Sequence, residues 1–297
     1  MAAEEHLHHE RITFRGARGA RLVADRWRRP ATPERGVVLL THGGGQTRHS
    51  WARTARKLAT DGWVALTLDA RGHGDSEWSA DGEYTLDGFV ADLYAVVDTI
   101  GRPPVVVGAS LGGRTALVAE GERPGTTAGL VLVDIAPRVD AAGQARVRAF
   151  MAGAPDGFSS LEEVAEAVNA YSPRRRGSGN VEGLRKNVRQ RADGRWYWHW
   201  DPRFLEASTD EQNFAVDRLL RAAGNVSAPT MLVRGSRSDM VTAEAANELL
   251  ELVPSARLVE VAAGHMITGD DNDVFTSQLR DFLAERVQHA DRVRENG

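Results

Sequence analysis

One serine, one histidine and two aspartates have the types and the order that nucleophilic catalysis requires. Ser110 lies in the stretch Gly108-Ala109-Ser110-Leu111-Gly112, which has the Gly-x-Ser-x-Gly pattern. This pattern is typical of a tight strand-to-helix turn that exposes the serine oxygen above the edge of a sheet. A serine hydroxyl is a weak nucleophile at neutral pH, and an adjacent base must activate it. His265 follows the last predicted strand and is the candidate base.

Asp239 and Asp134 are the two candidates for the acid that orients His265. Asp134 ends the predicted strand before a long insertion, whereas Asp239 lies in the turn 235–240 after the following strand. Either carboxylate could fix the imidazole tautomer and stabilise the imidazolium ion. We favour Asp239, because the turn is expected to present its side chain, and we keep Asp134 as the alternative acid.

A run of three glycines, Gly43-Gly44-Gly45, follows the predicted buried strand 36–41. Consecutive glycines indicate backbone conformations that other residues avoid, or a close approach by another group. We interpret the run as an oxyanion-hole loop, in which the N–H groups of Gly44 and Leu111 stabilise negative charge on a reacting oxygen. His42 follows the strand too closely to face Ser110, and we expect it to hold the loop by hydrogen bonds.

The stretch Asp69-Ala70-Arg71-Gly72-His73-Gly74-Asp75-Ser76 also combines acid, base and cation. Its glycines and short polar side chains are typical of a turn that is locked by side-chain hydrogen bonds. We therefore predict a structural role for this stretch.

These groups need a rigid scaffold, and the chain alternates short apolar runs with helical patterns. Uninterrupted apolar runs predict parallel strands, because such strands are buried on both faces. Catalytic groups gather beyond the carboxyl ends of parallel strands, and Ser110, Asp239 and His265 each follow one. Residues 11–14 and 22–27 predict an antiparallel pair near the start. The predicted parallel strands are 36–41, 64–69, 105–107, 130–133, 230–234 and 258–261.

The alternation stops between residues 136 and 225, where short helical patterns predominate. We interpret residues 136–225 as a helical cap, or lid. The cap would be inserted into a core formed by residues 1–135 and 226–297.

The cap contains an aromatic stretch at residues 196–200. In an extended segment Trp196, Trp198 and Trp200 would share one face. These rings either pack between the cap and the core or line an apolar substrate pocket above Ser110. We assign them to the pocket, with Trp198 as its foremost member.

Composition excludes several classes of protein. The 297-residue chain has a net charge of -4, 42% hydrophobic residues and no cysteine. The charge gives no general attraction to nucleic acid or anionic membranes, and the lack of cysteine excludes disulfides and thiolate sites. We find no apolar run suited to a membrane span, and the acidic start is unlike a signal peptide. We expect a cytoplasmic protein that acts on a small molecule, that needs no cofactor or metal and that could form a homodimer.

The stretches quoted above resemble the α/β-hydrolase superfamily, with His42-Gly43 as its oxyanion loop, residues 108–112 as its elbow and Asp239 with His265 completing its triad. The resemblance covers essentially the whole chain. It implies an α/β fold with a mostly parallel central sheet, helices on both faces and an inserted helical cap. The serine nucleophile is similar to the esterase, haloperoxidase-like and carbon–carbon hydrolase group. It departs from the epoxide hydrolases and haloalkane dehalogenases, which use an aspartate.

The resemblance implies a serine hydrolase that cleaves an ester, thioester or lactone through an acyl-enzyme intermediate, and the aromatic stretch of the cap favours an apolar small molecule as its substrate. Two alternatives stay open. A hydrolase of carbon–carbon bonds in a diketone-like acid would need a cationic cap residue, such as Arg195 or Arg203, for the substrate carboxylate. A ligand-binding homologue would keep the fold without turnover.

Overall fold

An eight-stranded sheet forms the centre of the molecule. The computed structural model describes residues 7–30, 32–171, 181–206, 209–265, 267 and 273–287. The strands are β1 (His8–Arg15), β2 (Arg21–Arg28), β3 (Val37–Thr41), β4 (Val64–Leu68), β5 (Val105–Ala109), β6 (Gly129–Val133), β7 (Val188–Gln190), β8 (Trp196–Trp198), β9 (Thr230–Gly235) and β10 (Arg257–Val261). The order in the central sheet is β1-β2-β4-β3-β5-β6-β9-β10, and β7 and β8 form a separate hairpin.

Strand direction follows the predicted pattern. In the central sheet, neighbouring strands among β4, β3, β5, β6, β9 and β10 pair in parallel. Strand β2 pairs in antiparallel register with both β1 and β4. Every residue of β4, β5 and β6 is buried. Burial on both faces explains why these strands read as uninterrupted apolar runs rather than as alternating ones.

Helices cover both faces of the sheet. They are α1 (Ala52–Thr60), α2 (Leu86–Ile100), α3 (Leu111–Glu122), α4 (Ala141–Ala152), α5 (Leu161–Tyr171), α6 (Thr209–Gly224), α7 (Ala243–Leu252) and α8 (Asp273–Phe282). On one face α2, α3, α6 and α7 share a core with the sheet, and on the other α1 and α8 do so. Trp51 lies fully buried in the second core, against Phe275. Within the described ranges no helix has the length and apolarity needed to cross a membrane.

The segment inserted after β6, which was predicted to form a cap, has a hydrophobic cluster of its own. We use the name cap for α4, α5, the β7–β8 hairpin and two short helical turns, Glu182–Asn187 and Pro202–Glu206. The prediction placed α6 in the cap as well.

Instead, α6 packs on the core. Leu219 and Ala222 of α6 are buried in the same cluster as the residues of α3. The two helices approach so closely at Gly121 that a Cβ atom there would lie 2.2 Å from the carbonyl oxygen of Ala222. The predicted boundary at residue 225 therefore includes a core helix, because an amphipathic pattern does not reveal which surface it will cover.

Candidate active site

Ser110 occupies the sharp turn between β5 and α3. Its backbone has φ 46° and ψ -112°, a conformation that a non-glycine residue adopts only when the surrounding structure enforces it. A Cβ atom on Gly108 would lie 2.5 Å from the backbone nitrogen of Gly113, and one on Gly112 would lie 2.5 Å from Oγ1 of Thr41. Both positions therefore lack room for a side chain, as the motif predicts.

His265 is bonded to Asp134. Its Nδ1 lies 2.7 Å from Oδ2 of Asp134, and the aspartate is buried at 1% exposure. Two further donors hold the carboxylate: the Gly235 N–H at 2.9 Å from Oδ1 and the Ser238 hydroxyl at 2.5 Å from Oδ2. Asp134 directly follows β6, the neighbour of the elbow strand β5. This arrangement fixes the imidazole with Nδ1 protonated and leaves Nε2 for a reacting group.

Asp239 does not contact His265, so the preferred choice of acid is wrong on geometry. Its side chain is about half exposed and forms an ion pair with Arg146 at 2.8 Å. The turn 235–240 instead directs Ser238 inward, towards Asp134. The alternative, Asp134, has the geometry of a triad acid, and Ser238 is a supporting residue that the sequence analysis missed. Its proximity to Asp134 depends on the fold of the turn and had no signal in the sequence.

The glycine loop passes beside Ser110. A Cβ atom on Gly43 would lie 3.2 Å from Cβ of Ser110. The Gly43 N–H donates to Oε1 of Gln46 at 3.0 Å, and the Gly45 N–H donates to Nε2 of His73 at 3.2 Å. Gly44 lies between these anchored residues and lines the same cavity as Ser110, as does Leu111. Because glycine has no side chain, the loop contributes backbone atoms of Gly44 to the wall of this cavity.

His42 holds this loop, as predicted. Its Nε2 accepts a hydrogen bond from the Ala70 N–H at 3.0 Å. The proton therefore resides on Nδ1, which donates to the carbonyl oxygen of Gly43 at 2.8 Å. Complete burial lowers the pKa of His42 to about 4, so the ring is neutral at physiological pH. Because Nε2 already accepts the Ala70 N–H, no ring nitrogen is available to take a proton from a reacting group.

The turn 69–76 is structural, as predicted. The Asp69 carboxylate accepts hydrogen bonds from the backbone N–H groups of Arg48, at 2.6 Å, and Asp75, at 2.9 Å. The Ser76 hydroxyl donates to the Asp69 carbonyl oxygen at 2.7 Å. His73 extends this turn to the glycine loop through Gly45. The acid and the base of this stretch are thus committed to internal hydrogen bonds.

A cavity of about 610 Å³ opens above Ser110 and His265. Most of its lining is apolar and comes from the cap on one side and from the core on the other. The large apolar and aromatic residues of the lining are Tyr84, Leu86, Phe89, Ile135, Val139, Val147, Phe150, Met151, Tyr171, Phe204, Leu205 and Met240. The size and the lining suit a small organic molecule.

Trp196, Trp198 and Trp200 are absent from the described lining of this cavity, so their assignment to the pocket is wrong. Trp198 and Trp200 are buried and stacked, with ring centroids 4.9 Å apart. Trp198 also packs against Phe150 and Phe158. The alternation itself is correct, but the shared face of the tryptophans forms the interior of the cap. Phe150, Met151 and Phe204, which the sequence analysis did not single out, form the cap side of the cavity.

Arg195 and Arg203, the cationic cap residues considered for a substrate carboxylate, have other partners. Arg195 donates to the carbonyl oxygens of Asp156 and Gly157 at 2.7 Å each. Arg203 pairs with Asp201 at 2.7 Å and donates to the Ser79 carbonyl oxygen. Both side chains stabilise the cap and its attachment, and neither is part of the described cavity lining.

Comparison with known proteins shows the family to which the chain belongs. A model of the α/β-hydrolase fold matches residues 36–271. The chain belongs to the α/β-hydrolase family. It is 31% identical over 258 residues to the esterase Rv0045c of Mycobacterium tuberculosis, covering 84% of this chain and 83% of that protein. It is 29% identical over 262 residues to the sn-1-specific diacylglycerol lipase ABHD11 of Mus musculus, covering 84% and 81%.

Solved structures give the same result. A crystal structure of the Mycobacterium tuberculosis esterase Rv0045c has a TM-score of 0.71 at 28% identity and covers 94% of this chain and 92% of that one. The structure of E-2-(acetamidomethylene)succinate hydrolase has a TM-score of 0.81 and covers 93% and 100%, at 19% identity, which shows the shared fold alone. The α/β-hydrolase described here is a serine hydrolase of this family.

Proposed function

We propose that this protein hydrolyses carboxylic esters of apolar small molecules through an acyl-enzyme formed on Ser110, with His265 as the base and Asp134 as the acid. The observation that carries the proposal is the 2.7 Å bond between His265 and the buried Asp134, in a cavity that Ser110 also lines. The relatives named esterase and lipase support ester hydrolysis as the class of reaction. Thioesters and lactones react by the same steps and belong to the same proposal.

The first half of the reaction forms the acyl-enzyme. The Ser110 oxygen bonds to the ester carbonyl carbon, while Nε2 of His265 takes the hydroxyl proton. The carbonyl oxygen becomes an oxyanion, and the N–H groups of Gly44 and Leu111 donate to it. The carbon–oxygen bond to the alcohol then breaks, and the imidazolium returns its proton to the departing alcohol.

The second half releases the acid. A water molecule attacks the acyl carbon while His265 takes its proton, and Ser110 recovers that proton as the carboxylic acid leaves. In both halves Asp134 stabilises the imidazolium, because its buried carboxylate bonds to the Nδ1 proton. The Gly235 and Ser238 donors hold the carboxylate in the orientation that this role needs.

The cavity indicates what sort of ester would fit. Its volume of about 610 Å³ and its aromatic and aliphatic lining favour a compact apolar substrate. The cap closes one side of the cavity with Phe150, Met151 and Phe204, so the cap excludes water from much of the space above Ser110.

Fluorophosphonate labelling and a panel of p-nitrophenyl esters of graded acyl length test this proposal. Labelling and turnover are expected in the parent protein and are expected to be lost in Ser110→Ala. Ser236→Ala is the matched control, because Ser236 lies close to the site in sequence yet has an exposed side chain. Absence of labelling in the parent would favour the ligand-binding alternative. Cleavage of a vinylogous diketone acid without ester cleavage would instead favour the carbon–carbon hydrolase.

A further inference from the structure

Arg114 lies one helical turn after Ser110 and lines the same cavity. Its backbone N–H donates to the carbonyl oxygen of Ser110 at 2.9 Å in the first turn of α3. Residues four apart on a helix share a face. Arg114 is accordingly part of the lining that also includes Ser110 and His265. A guanidinium group is thereby brought to the immediate surroundings of the nucleophile.

This guanidinium is mostly buried, and among the side chains that the structure describes no carboxylate pairs with it. In the portion of the chain that the structure describes, the Arg114 side chain makes no hydrogen bond or ion pair. Burial lowers its pKa, and no charged neighbour opposes that effect. An arginine nevertheless stays protonated in proteins. A buried cation without a partner is unfavourable, so this site favours an anionic ligand.

Other buried arginines of the chain show the contrast. Arg48 contacts the carboxylates of Asp25, Asp69 and Asp75. Arg71 pairs with the buried Asp92 at 2.6 Å. Arg114 differs from both, because it lines the cavity and has no carboxylate partner among the described side chains.

The remaining charges of the described lining do not neutralise Arg114. Arg218 pairs with Asp87 and with Glu122, and Arg148 donates to the carbonyl oxygen of Leu205. Asp134 is engaged by His265, and Arg221 is exposed. With four arginines and two aspartates in the described lining, the cavity has an excess of positive charge.

We propose that Arg114 binds a carboxylate on the substrate, so that the preferred esters are apolar molecules with one carboxylate group. This inference rests on the proposed ester hydrolysis at Ser110. The planar guanidinium can donate two parallel hydrogen bonds to a carboxylate, and in a mostly buried site these bonds are stronger than in water. The apolar lining then accommodates the hydrocarbon part of the same molecule.

Two matched pairs of esters test the proposal in the full-length protein. The first pair is mono-p-nitrophenyl adipate and p-nitrophenyl adipamate, which differ in the charge at the end of the acyl chain. The second is 4-carboxyphenyl hexanoate and 4-carbamoylphenyl hexanoate, which place that difference on the leaving group. In at least one pair, Arg114→Met is expected to lower kcat/KM for the anionic ester by about 10- to 100-fold relative to the neutral one. The affected pair identifies the side of the ester that Arg114 contacts.

Two further variants separate charge recognition from general damage. Arg114→Lys retains the charge and should restore part of the preference for the anionic ester. Arg138→Met is the matched control, since Arg138 is exposed, pairs with Glu248 and is not part of the described cavity lining. An exposed charge is screened by water, so the ratio should change by less than about 3-fold. An anionic-to-neutral ratio that is the same in Arg114→Met and the parent, for both pairs, would overturn the proposal.

A binding measurement keeps this test independent of turnover. In the Ser110→Ala background, calorimetry compares monomethyl adipate with methyl adipamate, and 4-carboxyphenyl hexanoate with 4-carbamoylphenyl hexanoate. The anionic member of at least one pair should bind more tightly, and the added Arg114→Met change should remove that difference. Equal affinity within both pairs before that change would overturn the inference, whatever the esterase result. If the protein preferred the anionic probe but cleaved no ester, the proposed function would be wrong, while the anion-binding site at Arg114 would still be supported.

Discussion

The Ser238 hydroxyl donates to Oδ2 of Asp134 across 2.5 Å, and the same carboxylate oxygen accepts the Nδ1 proton of His265. The Ser238 oxygen also accepts hydrogen bonds from the backbone N–H groups of Met240 and Val241. One serine thus connects the turn after β9 to the acid at the end of β6. This link explains how a carboxylate from one strand is held in place by a loop from the next.

Replacing Ser238 by alanine tests that link. The change removes one donor to Asp134 and leaves two backbone N–H groups without their acceptor, so we expect kcat/KM to fall and the free energy of unfolding to decrease by about 1–3 kcal/mol. Steady-state kinetics and urea denaturation measure the two effects. Ser236→Ala, whose side chain is exposed, should change neither. Parental kinetics and stability in Ser238→Ala would show that the backbone of Gly235 suffices to hold the carboxylate.

Asparagine variants at Asp134 and Asp239 compare the two candidate acids directly. Asp134→Asn should favour the wrong imidazole tautomer and reduce kcat by about 10⁴-fold, the effect of the same change in a well-characterised triad. Asp239→Asn breaks an ion pair that is half exposed, with Arg146, and should change kcat by less than about 3-fold. Steady-state kinetics with a p-nitrophenyl ester measure kcat for both variants. A severe loss in Asp239→Asn with near-parental activity in Asp134→Asn would return the acid role to Asp239.

Local sequence patterns predicted the strands and the nucleophile turn, but they did not predict the directions of several side chains. The elbow at Ser110 and the buried strands follow from short runs of sequence, because glycine spacing and apolar runs act locally. The choice of acid depends on the backbone of Asp134, which has φ 51°, and on a turn that directs Ser238 inward. The residue types at these positions predict neither the backbone conformation of Asp134 nor the inward direction of Ser238. The inward face of Trp198 and the docking of α6 likewise depend on which surfaces meet.

The buried histidines predict a dependence of stability on pH. Burial lowers the pKa of His42 to about 4 and that of His73 to about 3, whereas an unfolded chain titrates near 6.5. The unfolded state therefore binds more protons below that pH. The stabilisation is fully present above pH of about 6.5 and is lost as the pH falls through the folded pKa values.

Denaturation in urea at pH 7.5, 6 and 5 measures this effect. Each histidine contributes up to about 1.4 kcal/mol per pH unit to the slope. His42→Asn should reduce the slope by up to one proton, and His9→Asn is a control at a half-exposed position. A slope that is identical in His42→Asn and the parent would contradict this account of the glycine loop.

Alanine variants at Trp198 and Phe204 should have different effects, because Trp198 lies in the interior of the cap and Phe204 lies in the wall of the cavity. Trp198 is 9% exposed and packs against Trp200 and Phe158. Its replacement by alanine leaves a large cavity in the cap cluster, and we expect a loss of about 3–5 kcal/mol in stability. Because its ring is not in the described lining of the substrate cavity, the relative rates on esters of different acyl length should not change in the protein that remains folded.

Replacement of Phe204 should change the preference for acyl length more than it lowers stability. Its ring lines the cavity and would be 3.4 Å from a Cβ atom on Gly44, so it lies beside the proposed oxyanion donor. Phe204→Ala enlarges the space above Ser110, and we expect the optimum to move to longer or bulkier acyl groups with a smaller loss of stability. Rates on the graded p-nitrophenyl esters and thermal unfolding of both variants test the pair. An altered acyl profile in Trp198→Ala at unchanged stability, with a parental profile in Phe204→Ala, would reverse the two assignments and return Trp198 to the pocket.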